Sequence, residues 1–219
     1  MKPAVYLAEP EEVRHPAVVL VQGLAVSKYL RPAAHALAAC ELLDLPGFGA
    51  SDNPPSPLDV HGFAAVVADY LRDRDDDVVL AGHSSGTQVA ALAATDPDLP
   101  VSRVVLGSPT VDPAYRGLGR MLTRWLKDGR HEPSAMAKVQ AGEWLRAGPR
   151  RIIALLRSMP KHHLEDTKIP RPVTVVRGAR DPLCTDEWSA KLGKLITLPG
   201  LPHAFPYQAP AAFASVILD

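Results

Sequence analysis

Ser84 lies in a stretch whose residue types and spacing suit a nucleophile. It is the central residue of Gly82-x-Ser84-x-Gly86, between an apolar, β-branched run that predicts a buried strand and an Ala/Leu-rich run of high helix propensity. A chain that turns sharply from strand to helix brings the residues two before and two after the pivot together, and only small side chains fit there. The pivot side chain then projects above the sheet, facing the free N–H groups of the first helical turn. The pattern predicts an exposed, reactive serine; the plainer interpretation is a glycine-rich turn with a surface serine.

A serine hydroxyl is a poor nucleophile at neutral pH, so it needs a base within hydrogen-bond reach and an acid group that fixes the tautomer of that base. Asp181 follows one predicted strand and His203 follows the last predicted strand. Because ligand-facing loops gather at the carboxyl ends of parallel strands, both side chains are expected on the same rim as Ser84. Asp112, near the end of the preceding strand, is the alternative acid. His83, next to Ser84, is expected to point away from the site and to serve in packing.

Four segments resemble the α/β-hydrolase superfamily: the Gly82-x-Ser84-x-Gly86 turn, the loop Asp44-x-Pro46-Gly47-x-Gly49-x-Ser51, and the stretches 177–182 and 199–203. Together with the order of elements, the resemblance extends over residues 16–218. It implies a catalytic triad in the order Ser84, Asp181, His203, and an acyl-enzyme formed on Ser84.

The same resemblance implies an oxyanion hole made of two backbone N–H groups. One is that of Leu24, after the Gln22-Gly23 pair that ends an early strand, and the other is that of Ser85, directly after the nucleophile. Gln22 stands where many members of the superfamily have histidine. Because the donors are backbone groups, this departure is compatible with an oxyanion hole, but it leaves open what anchors the loop.

Alternating apolar strands and helical patterns predict an α/β protein with a mostly parallel, open, twisted sheet and helices on both faces. The alternation stops between residues 112 and 168, where three helices are predicted over 115–127, 133–147 and 150–159. We therefore expect a hydrolase-like core in residues 1–111 and 169–219, with residues 112–168 inserted as a small helical cap. A short edge strand is expected over 4–8, a long helix over 27–39, and a sheet with fewer early strands than many members have.

The composition argues against several classes of partner. Lys plus Arg equals Asp plus Glu, 24 each, so no global charge favours nucleic acid or a membrane surface. The charge is uneven: residues 1–110 hold 7 basic and 14 acidic side chains, and residues 111–219 hold 17 and 10. Cys40 and Cys184 are far apart, which favours a reducing, cytoplasmic setting. His162-His163 has no third ligand at a suitable spacing, so neither a metal nor an organic cofactor is expected, and the expected partner is a small-molecule substrate.

The reaction expected first is hydrolysis of a small, partly apolar carboxylic ester or thioester. Two alternatives remain open: a carbon–carbon bond hydrolase acting on an acidic ring-cleavage product, and a non-catalytic ligand-binding member of the fold. Cleavage of a carbon–carbon bond in an acidic substrate would need a cationic contact. The expected cap offers one stripe of basic residues (Arg116, Arg120, Arg124 and Lys127), although a solvated face is the plainer interpretation. Tryptophans 125, 144 and 188 either line a pocket or belong to the core.

Overall fold

A single seven-stranded sheet runs through the protein in the order β1-β3-β2-β4-β5-β6-β7. The computed structural model describes residues 1–8, 17–130 and 132–219; Pro16, His15 and His131 lie outside them. The strands are β1 (Ala4–Ala8), β2 (Ala17–Val21), β3 (Cys40–Asp44), β4 (Val78–His83), β5 (Val101–Gly107), β6 (Val173–Gly178) and β7 (Lys194–Leu198). β1 is antiparallel to β3 and the other pairs are parallel. The predicted sheet and its edge strand over 4–8 are confirmed.

Helices cover both faces of the sheet, which is why β2 and β4 are almost continuous apolar runs. The α-helices are α1 (Arg31–Ala36), α2 (Val60–Arg72), α3 (Gly86–Ala93), α4 (Leu118–Asp128), α5 (Ser134–Ala147), α6 (Pro149–Ser158), α7 (Asp186–Leu192), α8 (Phe205–Gln208) and α9 (Pro210–Leu218). One core cluster joins the sheet to α2, α3 and α7 through residues such as Phe63, Val89 and Trp188. A second cluster joins the other face to α1, α8 and α9, with Phe205 and Phe213 at its centre.

The helix predicted over 27–39 is shorter than expected. A 3₁₀ turn over Lys28–Leu30 leads into α1, which ends at Ala36. The chain then reverses at Ala38, whose φ of 61° lies in the left-handed region and directs the backbone into β3. Ser27 does not cap the helix through its side chain.

The segment between β5 and β6 holds α4, α5 and α6, followed by two short 3₁₀ turns, and the described part of residues 112–168 contains no strand. α4 begins three residues later than predicted, because residues 112–115 form a turn in which the Tyr115 N–H bonds to the Asp112 carbonyl. In the part of the chain that the structure describes, no helix combines the length and apolar character needed to cross a membrane.

Candidate active site

Ser84 sits at the pivot between β4 and α3 with a φ of 56°, a strained value for a residue other than glycine. The close approach predicted around it is confirmed. A Cβ added to Gly82 would lie 2.3 Å from the Gly86 carbonyl oxygen, and one added to Gly86 would lie 2.5 Å from the carbonyl oxygens of Val21 and Gln22. The two glycines therefore let α3 start directly against the ends of β2 and β4. The Ser84 side chain is left partly exposed at the carboxyl end of the parallel strands.

Ser84, His203 and Asp181 form one continuous hydrogen-bonded chain. The Ser84 Oγ lies 2.9 Å from His203 Nε2, and His203 Nδ1 lies 2.9 Å from Asp181 Oδ2. With Nδ1–H donating to the carboxylate, Nε2 is left to accept the serine hydroxyl proton. Asp181 follows β6 and His203 follows β7, so three strand ends supply the three side chains. This arrangement is the one that activates a serine for attack on a carbonyl group.

Asp112, the alternative acid, is engaged elsewhere. Its Oδ2 accepts hydrogen bonds of 2.8 Å from both the N–H and the hydroxyl of Thr185, and its Oδ1 accepts the Ala114 N–H. Asp112 thus fastens the loop that follows Asp181. Asp181 itself accepts the Leu183 N–H through Oδ1 at 2.8 Å, which fixes the second oxygen toward His203.

The charges of the site oppose the effect of burial. Burial alone would raise the pKa of Asp181, but the attraction of His203, together with hydrogen bonds, lowers that pKa to about 2. Burial likewise lowers the pKa of His203, but the carboxylates of Asp181, Asp128 and Glu132 outweigh it and raise the pKa above the ordinary histidine value. Asp181 is therefore ionised at neutral pH, and its charge favours the protonated imidazole that forms during proton transfer.

His83 does more than pack. It packs against the rings of Phe205 and Phe213, in agreement with the predicted packing role, but its Nε2 also lies 3.0 Å from the His203 carbonyl oxygen. Its Nδ1 lies 2.5 Å from the Tyr29 hydroxyl. Burial lowers the pKa of His83 to about 3, so the ring is neutral, with Nε2–H donating to His203 and Nδ1 accepting from Tyr29. The expectation that His83 points away from the site is corrected: it holds the backbone of the candidate base.

The two predicted oxyanion donors lie together, although one of them is occupied. The Leu24 N–H donates to the Ser85 hydroxyl oxygen at 2.7 Å. The Leu24 carbonyl accepts the Trp144 indole N–H at 2.9 Å, and the Gly23 carbonyl accepts the Val26 N–H at 2.9 Å, so the loop is anchored without Gln22. Gln22 is buried, and neither polar atom of its side chain bonds to a described residue. The Ser85 N–H lies at the start of α3, where helical N–H groups have no partner within the helix.

A cavity of about 550 Å³ lies between the carboxyl ends of the parallel strands and the helices α4 to α6, and Ser84 and His203 form part of its wall. Most of its lining is apolar, and α4, α5 and α6 contribute to it through residues that include Leu118, Met121, Leu122, Trp125, Trp144 and Ile152. The rings of Trp125 and Trp144 are 5.4 Å apart. These two tryptophans line the cavity, whereas Trp188 is 4% exposed and belongs to the core.

Two cap carboxylates at the histidine end of the cavity were not singled out from the sequence. Asp128, at the end of α4, accepts the His203 N–H through Oδ1 at 3.2 Å, and Glu132 accepts the Ala204 N–H at 2.8 Å. Both residues line the cavity. Sequence patterns gave no signal for them, since the groups that they bond to lie more than 70 residues away along the chain.

The predicted stripe of basic residues on and just before α4 does not face the cavity. None of Arg116, Arg120, Arg124 and Lys127 lines the cavity. Arg116 pairs with Glu165, and the Arg124 guanidinium lies 3.9 Å from the centre of the Tyr115 ring. In the described residues, no group of three or more His, Cys, Asp or Glu side chains is placed to hold a metal ion. His162 lies between Gln88 and Thr167, with its ring nitrogens 3.3 Å and 3.0 Å from their side chains.

Solved structures of similar fold come from several organisms. A hydrolase from Pseudomonas aeruginosa PA01 is 19% identical, with a TM-score of 0.76 over 98% of this chain and 92% of the other. A lipase-esterase related protein from Clostridium acetobutylicum ATCC 824 is 18% identical, with a TM-score of 0.78 over 99% and 98%. A thioesterase domain from the curacin biosynthetic pathway is 20% identical, with a TM-score of 0.68 over the full length of both chains. At these identities the likeness concerns the fold.

No curated protein matches this sequence. The model of the Alpha/beta hydrolase family, in contrast, matches residues 18–216, which include most of β2, all of β3 to β7 and the loops that carry Ser84, Asp181 and His203. With the sheet, the sharp strand–helix turn and this match in agreement, the chain belongs to the alpha/beta hydrolase family.

Proposed function

We propose that the protein is a serine hydrolase that cleaves a small-molecule carboxylic ester or thioester through an acyl-enzyme on Ser84. The observation that carries the proposal is the hydrogen-bonded chain Ser84–His203–Asp181, with both links at 2.9 Å, in the wall of an apolar cavity. An apolar cavity suits an acyl or alkyl chain, and the chain of side chains supplies the chemistry for acyl transfer.

In the proposed reaction, Ser84 Oγ attacks the substrate carbonyl carbon while His203 Nε2 takes the hydroxyl proton. The Ser85 N–H and, once the Ser85 hydroxyl releases it, the Leu24 N–H bind the oxyanion that develops. Loss of one such donor typically costs about 2.7–4 kcal/mol of transition-state stabilisation. His203 then gives its proton to the departing alcohol or thiol. A water molecule, deprotonated by His203, releases the acid and restores Ser84.

The site favours this reaction over the two alternatives. An acidic ring-cleavage product would need a cationic contact for its carboxylate group, whereas the histidine end of the cavity carries the carboxyl groups of Asp128 and Glu132. Arg157, which lines the cavity from α6, is an exposed residue. A purely ligand-binding role would not require the ordered contacts of His203 with Ser84 and Asp181.

The proposal is tested by labelling with a fluorophosphonate probe and by assays with short-chain esters. The parent protein is expected to be labelled, and Ser84→Ala is expected to lose the label and at least about 10⁴-fold in kcat. Ser215→Ala, which removes an exposed serine on α9, is the matched control and should behave like the parent. A folded parent that neither reacts with the probe nor hydrolyses esters would refute the proposed activity and favour ligand binding.

A further inference from the structure

The carboxylate of Asp128 is unusual for its position. It is 3% exposed, lines an otherwise largely apolar cavity and lies beside the candidate base. Only Oδ1 is used, by the His203 N–H at 3.2 Å. Among the residues that the structure describes, Oδ2 has no hydrogen-bond donor and the carboxylate has no salt-bridge partner. A buried carboxylate oxygen without a donor is costly, and burial accordingly raises the pKa of Asp128 to about 7. This oxygen therefore favours a ligand that brings a donor.

The surroundings define the chemistry of that ligand. Glu132, four residues further along the chain, also lines the cavity, and its two oxygens accept from the Ala204 N–H and the Gln208 side chain. Two carboxyl groups therefore face the same end of the cavity, close to the Asp181 carboxylate behind His203. A ligand anion would be repelled there, while a cation would gain a charge-assisted hydrogen bond.

We propose that Asp128 is a specificity-determining residue that binds a protonated amino group of the substrate, so that the preferred substrates are esters or thioesters bearing an ammonium group on an otherwise apolar chain. This inference rests on the proposed hydrolase function. The apolar cavity binds the chain, and Oδ2 of Asp128 accepts the N–H of the ammonium group. His203 remains the base, and Asp128 takes no part in proton transfer.

Binding can be measured without turnover, which separates this proposal from the activity itself. In the Ser84→Ala variant, calorimetry would compare n-hexylammonium, 1-hexanol and hexanoate, which share one apolar chain. The titrations are run at about pH 9, where the amino group of hexylamine is still protonated, as a lysine side chain is. The expected order of affinity is ammonium, then alcohol, then carboxylate, with at least about a tenfold difference between the first and the last.

Asp128→Asn tests the residue, since the amide keeps an oxygen for the His203 N–H and removes the charge. In the Ser84→Ala background it should abolish the preference for ammonium over carboxylate. Glu143→Gln is the matched control: Glu143 is a cap carboxylate, 4% exposed, that accepts the Ser27 and Lys28 N–H groups but does not line the cavity. It should keep the ammonium-to-carboxylate affinity ratio of the parent.

The outcomes are distinguishable. Hexanoate binding as tightly as hexylammonium, or a preference that survives Asp128→Asn, would overturn the proposal even if the protein proves to be an active esterase. The expected order of affinities in a protein that hydrolyses no ester would support the ammonium site and refute the proposed activity. For an active enzyme, the ratio of kcat/KM between an aminoalkyl ester and its uncharged isostere should exceed one and should fall in Asp128→Asn.

Discussion

His203 is held through its ring and through its backbone. Its two ring nitrogens contact Ser84 and Asp181, its N–H donates to Asp128, and its carbonyl accepts from His83. Fixing both ends of the residue restricts the imidazole to one orientation, which lowers the entropic cost of reaching the geometry for proton transfer. Asp181 and Asp128, the carboxylates that hold the residue, also raise the pKa of its imidazole.

The pH dependence of kcat/KM should reveal this environment. Only neutral His203 accepts the serine proton. Burial favours that form, but Asp181, Asp128 and Glu132 together raise the pKa. Activity is therefore expected to be lost as the pH falls, with the midpoint above the ordinary histidine value of about 6.5. Asp128→Asn should move the midpoint to lower pH and Glu143→Gln should not; a parent midpoint at or below about 6.5 would contradict this account.

A second prediction concerns Ser85, whose hydroxyl oxygen occupies the Leu24 N–H at 2.7 Å. Ser85→Ala frees that N–H for the oxyanion, while Trp144 still anchors the Leu24 carbonyl. Because one hydrogen bond of this kind has a net value of about 0.5–1.5 kcal/mol, kcat on a short ester should rise by up to about tenfold. A fall in kcat would show that the Ser85 hydroxyl itself serves the oxyanion.

At the scale of elements, the strand–helix turn around Ser84 was predictable because its requirements are local. The spacing of Gly82 and Gly86 and the apolar run before them specify one geometry, whatever packs above. The end of α1 was not predictable, since it depends on a left-handed residue, Ala38, that no sequence pattern marks. The same distinction applies to the site: Ser84, Asp181 and His203 each follow a strand, whereas the contacts of His83 and Asp128 arise from tertiary packing.

Glycine-to-alanine substitutions at the tightly packed turn and on an open helix face should have opposite effects on stability. In Gly86→Ala the new Cβ would meet the Val21 and Gln22 carbonyl oxygens at 2.5 Å, so the free energy of unfolding should fall by about 3 kcal/mol or more. Gly142, within α5, has no neighbour within 4 Å of an added Cβ, and Gly142→Ala should raise stability by up to about 1 kcal/mol. Urea unfolding measures both, and equal effects would contradict the packing described here.

At the scale of the whole molecule, helices α4 to α6 form part of the candidate site as well as one wall of its cavity. Trp144 of α5 holds the Leu24 carbonyl, and Asp128 of α4 holds the backbone of His203. Cap and core therefore position the candidate oxyanion donors and the base jointly. These contacts join residues more than 70 positions apart, which explains why the sequence indicated the cap's helices but not its part in the site.

The cavity between cap and core should select substrates by chain length. Each methylene group buried against its apolar wall gains about 0.8 kcal/mol, so kcat/KM for straight-chain esters should rise by about fourfold per added methylene until the cavity of about 550 Å³ is filled. Trp125→Ala removes part of that wall and should flatten the rise. Leu145→Ala is the matched control, since Leu145 is 85% exposed on α5 and does not line the cavity. If activity did not depend on chain length in the parent, or if both variants lost the dependence equally, the acyl chain would have to bind outside the cavity, and the cap would act only by holding the two loops that it contacts.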